Sequence, residues 1–110
     1  MTKLDMEFKE LDDKLVIVVK GDIDAYHSAD FKKEVKEKIS SFKGIKVVLD
    51  LSNVAYIDSA GLGSLVAILK DARNAGKSFV LASLKPNVKR IFEMTRLDKV
   101  FRIVDTPEEA

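Results

Sequence analysis

The chain of 110 residues contains no cysteine. Disulfides, thiolate metal sites and cysteine nucleophiles are therefore excluded together. Histidine occurs once, as His27, which leaves little for general-base chemistry. No apolar run approaches the roughly 18 residues of a membrane-crossing helix, and the first residues lack a signal-peptide core. A cytoplasmic protein with no membrane contact is the expectation. Neither sign of charge dominates: 19 Lys and Arg stand against 18 Asp and Glu, interspersed rather than blocked. Without a basic stripe, direct nucleic-acid binding is not expected. Glutamine is absent and asparagine scarce, while lysine and glutamate abound, the direction seen in heat-adapted proteins.

What the chain does contain is a regular alternation of elements. Hydrophobic residues make up 46% and charged residues 34%, enough for one soluble globular domain over 1–110 with a modest core. Leu4 to Glu10 alternates apolar and charged residues, as a half-buried edge strand does. Lys14 to Lys20 holds a continuous β-branched run that suits a strand buried on both faces, and Asp12-Asp13 joins the two as a hairpin. Phe31, Val35, Ile39 and Phe42 then recur at helical spacing, which predicts a helix from Tyr26 to Phe42 ended by Gly44. Ile45 to Leu51 reads as a strand, Ser59 to Ala75 as a helix closed by Gly76, and Ser78 to Ala82 as a strand. Pro86 opens a shorter helix with Val88, Ile91, Phe92 and Thr95 inward. Val100 to Val104 is the last strand, before an acidic tail expected to be loose. Strand, helix, strand in succession implies right-handed crossovers. The fold class is α/β, a mostly parallel central sheet with an antiparallel ribbon at its start and helices packed against it.

In such sheets, sites form at the edge where the parallel strands end. Gly21-Asp22-Ile23-Asp24 follows one strand and Asn53 to Ser59 another, so Asp22 and Asp24 are expected near Ser59. Asp58 or Ser59 can cap the helix that starts there. A cap does not account for Gly61 and Gly63, each of which costs roughly 1 kcal/mol relative to alanine. A nucleophilic Ser59 would need His27, yet neither G-x-S-x-G nor a triad order is present. A phosphate cradle would need the longer glycine loop and lysine of a P-loop, and the aspartates would repel the anion. What remains is a serine placed to receive a phosphate. Gly63, Ser64 and Ala67 would form a low, mildly apolar shelf beside it for a partner protein.

"YIDSAGLGSL", with "GDIDAYHSADF" upstream and "NVKRIFEMTRL" downstream, resembles the STAS domains of bacterial anti-sigma factor antagonists, over nearly the whole chain. The resemblance implies a single STAS-like domain that is not an enzyme and needs neither cofactor nor metal. It implies as partner an ATP-binding anti-sigma factor that is also a serine kinase, and as a second partner a metal-dependent serine phosphatase. Carried over by residue, Ser59 is the phosphoacceptor, Asp58 precedes it, and the acidic residue of the neighbouring loop is Asp22 or Asp24, with G-D-I-D favouring Asp24. With the turn and the shelf read from the residues themselves, the expected partner-binding set is Asp24, Asp58, Ser59, Ala60, Gly61, Leu62, Gly63, Ser64 and Ala67. Ala60 departs from the family pattern, where many members carry a second serine. The competing expectations are a STAS scaffold that is never phosphorylated and a small hydrolase using Ser59 and His27.

Overall fold

The computed structural model describes residues 3–110. Strands β1 (Asp5–Leu11) and β2 (Lys14–Lys20) pair antiparallel from Asp5 opposite Lys20 to Leu11 opposite Lys14. Asp12 takes the left-handed conformation, φ 57°, that so short a turn requires. Helix α1 (Ser28–Ser41), β3 (Lys46–Asn53), α2 (Ser59–Asn74), β4 (Ser78–Ala82), α3 (Pro86–Met94) and β5 (Arg102–Val104) follow. The sheet order is β1-β2-β3-β4-β5, with every pair from β2 onward parallel. The order never reverses, so successive crossovers of one hand lay all three helices on one face.

The side-chain pattern of the strands follows from that arrangement. Leu15, Ile17 and Val19 of β2, Val47, Leu49 and Leu51 of β3, and Phe79 and Leu81 of β4 point to the helices. They form one core with Phe31, Val35 and Ile39 of α1, Leu62, Leu65, Ile68 and Leu69 of α2, and Val88 and Phe92 of α3. The alternate residues Val16, Val18, Val48 and Ala82 gather on the other face with Val104 and Ala110. The run Leu15–Val19 is thus buried on both sides, as its composition requires.

Several local expectations are corrected. The acidic tail is not loose: Pro107–Glu109 forms a 3-10 turn. Its Pro107 carbonyl accepts from Lys14 Nζ at 3.1 Å, and Ala110 packs on the second apolar cluster. Four buried Val and Ala side chains would otherwise face water, at roughly 1.5–3 kcal/mol for each valine. Helix α1 begins at Ser28, because Asp24 to His27 closes a separate turn, the Asp24 carbonyl accepting from the N–H groups of His27 and Ser28. It ends at Ser41 without help from Gly44, since Phe42 turns extended to reach the core. Gly44 instead allows close approach: a Cβ there would sit 2.7 Å from the Asp13 carbonyl. Thr95 faces solvent, its hydroxyl donating back to the Ile91 carbonyl, and Ile91 is only half-buried. Residues 97–99 form a 3-10 turn, which shortens the last strand to Arg102–Val104. Gly76 closes α2 as expected. With φ 74° it donates to the Arg73 carbonyl while Lys77 N–H reaches the Ala72 carbonyl at 2.8 Å, a Schellman motif.

Candidate functional site

Two loops leave the sheet at the edge where β2 and β3 end, and the backbone joins them. Ile23 and Ile57 form an isolated parallel bridge, with Ile23 N–H donating to the Tyr56 carbonyl at 3.1 Å. Both isoleucines are fully buried, so apolar burial fixes the register of the polar residues beside them. Asp58 then ties the loops a second time. One of its carboxylate oxygens accepts from Gly61 N–H at 2.9 Å, capping α2, and the other from Ala25 N–H at 2.9 Å. These bonds, Gly61's foremost, hold the Asp58 carboxyl below the usual aspartate range.

Ser59 stands on the first turn of α2, exposed, and its hydroxyl makes no hydrogen bond to any described residue. His27 is turned elsewhere: its Nδ1 lies 2.8 Å from an Asp24 carboxylate oxygen that also accepts from His27 N–H at 3.1 Å. Asp24 is therefore engaged within its own turn, and His27 serves that turn. No base is hydrogen-bonded to Ser59 among the described residues, so the geometry offers no activated nucleophile. Asp22 is half-buried on the same loop and makes no side-chain hydrogen bond to a described residue.

The two glycines of the turn have opposite reasons. Gly61 is buried, and a Cβ on it would collide with the Ile23 carbonyl. Glycine there lets the first turn of α2 lie directly on the β2–α1 loop. Gly63 is exposed, and a Cβ on it would meet nothing within 4 Å. Leu62 belongs to the core, and Ser64 is buried with its hydroxyl donating to the Ser28 carbonyl at 3.2 Å, joining α2 to α1. Of the residues singled out from the sequence, Ser59 and Gly63 thus form the open strip, while Ala60 and Ala67 are half-buried beside it. Gly61, Leu62 and Ser64 lie beneath it.

The strip has members that inspection of the turn alone did not single out. At helical spacing Val66 and Lys70 continue the line of Ser59 and Gly63, half-buried and exposed respectively. Tyr26 and Tyr56 stand 70% and 50% exposed, one on each of the joined loops. Tyrosine is among the residues enriched at the energetic centres of protein contacts. Two tyrosines, each a few residues beyond a buried strand, were the sequence signal for them.

Comparison with known proteins agrees on one family. The model described as "STAS domain" matches residues 5–110. The anti-sigma-B factor antagonist of Listeria monocytogenes is 37% identical over 107 residues, which is 96% of this chain and 93% of that protein. The anti-sigma F factor antagonist of Paenibacillus polymyxa is 27% identical over 96 residues, 87% of this chain and 82% of its own. A crystal structure from Thermotoga maritima superposes with a TM-score of 0.86 at 31% identity, covering 94% of this chain and 89% of that one.

Proposed function

This chain belongs to the STAS-domain family, and we propose from that membership that it is an anti-sigma factor antagonist switched at Ser59. In the unphosphorylated state it binds an anti-sigma factor that is an ATP-dependent serine kinase, and so frees a sigma factor for transcription. That kinase transfers phosphate to Ser59 Oγ, the complex separates, and a metal-dependent serine phosphatase restores the binding form in the cytoplasm. The protein acts by contact and catalyses nothing. The observation that carries this reading is the Ser59 hydroxyl: exposed, hydrogen-bonded to no base among the described residues, and set at the start of α2 beside an open strip.

The switch is electrostatic. Phosphate adds about −1.5 to −2 charge at neutral pH. Asp58 cannot swing away to relieve the repulsion, because both its oxygens are held by backbone N–H groups. The new charge can gain roughly 0.3–1 kcal/mol from the helix dipole, which offsets much of that repulsion within the free protein. Against a partner it must also shed its water, and that cost falls on the complex alone.

The test incubates the protein with ATP and the anti-sigma kinase of its own genome, followed by intact-mass analysis and affinity measurement. One phosphate is expected on the wild type and none on Ser59→Ala, which still binds the kinase within a few-fold. Phosphate on the Ser59→Ala variant, or undiminished affinity of the phosphorylated protein, would refute the switch.

A further inference from the structure

The two edges of the sheet are finished differently. Strand β5 is three residues long, and shortness by itself blunts an edge. Strand β1 runs seven residues in unbroken register with β2, without a proline or a bulge. None of its residues makes a backbone hydrogen bond outside that pairing among the described residues. Alternate N–H and C=O groups of β1 therefore point away from the sheet unpaired. Its charges, on Asp5, Glu7, Lys9 and Glu10, discourage an arbitrary strand and leave room for a complementary one.

Beside this edge, β1 and α1 enclose a groove. Met6 and Phe8 pair with Val19 and Ile17, so with Leu4 they point to the helix layer, where all three are only half-buried. One hollow of about 380 Å³ lies among Leu4, Met6, Asp30 and Phe31. A second of about 370 Å³ lies among Phe8, Glu37, Lys38 and Ser41. Glu34 lines both, so the hollows meet at its side chain. Asp30, Glu34 and Glu37 are exposed along this flank of α1 and enter no ion pair among the described residues. The basic groups of the groove are already engaged. Lys3 lies 3.9 Å from Asp5, His27 lies 2.8 Å from Asp24, and Lys38 stands over the Phe8 ring at 5.5 Å.

We infer that this groove takes an extended segment of another protein, added to β1 as a sixth strand. The free backbone groups of β1 supply the ladder, and the hollows select alternate side chains. From Asp30 to Lys38 the helix rises about 12 Å. Residues four apart on a strand are separated by roughly 13 Å and share a face. Two apolar side chains at that spacing fit the two hollows, and a lysine or arginine midway between them meets Glu34. Exposed carboxylates alone would mark only a solvated helix; beside an open edge and two apolar hollows they specify a basic segment. Strand addition here does not rest on the Ser59 switch.

The probe is a blocked nonapeptide, Val-Thr-Lys-Thr-Val-Thr-Lys-Thr-Val, whose valines and lysines share one face when extended. It is titrated into the full chain and followed by amide NMR and hydrogen exchange. Saturable shifts are expected over Asp5–Leu11 and along α1, with none over Arg102–Val104. The outward amides of β1 should gain protection at saturation. Glu34→Lys is expected to weaken binding about tenfold and to strengthen binding of the same peptide with glutamate for lysine. Glu93→Lys on α3, the same charge change away from the groove, is expected to leave binding unchanged. Equal losses from the two variants, or wild-type binding of the glutamate peptide as tight as that of the lysine peptide, would overturn the basic occupant. Shifts without added protection of β1 would overturn strand addition. A concentration-dependent dimer that buries β1 and excludes the peptide would overturn the proposal in favour of a second copy of this chain.

Discussion

Asp58 accepts from Ala25 N–H with one carboxylate oxygen and from Gly61 N–H with the other, so a single side chain both caps α2 and joins the two loops of the site. Asparagine would keep one acceptor and turn an amide N–H₂ towards the second donor. Asp58→Asn is therefore expected to cost about 0.5–1.5 kcal/mol at neutral pH, the range for one lost hydrogen bond. The pH dependence has a definite sign. The folded-state value is depressed, so the stabilisation is complete above the unfolded aspartate value of about 4 and is lost as pH falls through the folded value. Urea midpoints of wild type and variant should differ at pH 7 and converge as pH falls through the depressed folded-state value, below the ordinary aspartate range. A gap that stays constant through that range would show that the carboxylate charge contributes nothing to the join.

Helix α2 serves two masters along its length: its inner residues close the core and its outer strip is left open beside Ser59. Substitutions at Gly61 and Gly63 separate these roles. Alanine at Gly61 must displace the Ile23 carbonyl, a backbone group that cannot rotate aside, and is expected to destabilise by about 1–3 kcal/mol. At Gly63 a side chain meets open space and helix propensity improves, so Gly63→Leu should leave stability unchanged or raise it by up to about 1 kcal/mol. The same leucine stands between Ser59 and Val66 and is expected to weaken the anti-sigma partner at least about tenfold by holding the surfaces apart. Chemical denaturation and partner titration of both variants check this. An unfolded Gly63→Leu protein, or one that binds like wild type, would sink the strip as a contact surface.

At the scale of the molecule, three helices cover one face of the sheet and the last turn of the chain covers part of the other. Lys14 Nζ to the Pro107 carbonyl and Ala110 on the Val16, Val18, Val48 and Ala82 cluster hold that turn in place. Removing residues 106–110 is expected to lower stability by about 1–2 kcal/mol through exposure of these side chains. Binding of a hydrophobic dye should rise, while affinity for the anti-sigma partner at the Ser59 edge stays as it was. Unchanged denaturation midpoints would mean that the tail rests on the sheet without stabilising it.

The sequence by itself determined the element order, the hairpin, the parallel crossovers and the edge at which Ser59 stands. Local periodicity carries that information: Leu15–Val19 can be only a doubly buried strand in this setting, and Phe31, Val35 and Ile39 only one face of a helix. The motif also placed Asp58 at the cap and Ser59 at the first position of α2, because their spacing from the glycines is local. What only the tertiary structure decided lies in contacts between segments distant in the chain. That Gly61 is pressed on Ile23 while Gly63 faces water depends on where the β2–α1 loop passes. That Asp24 is occupied by His27 depends on a turn closing before α1 begins. The tail was read as loose because its composition is polar, yet a sheet with helices on one face leaves the other to be covered by whatever chain remains.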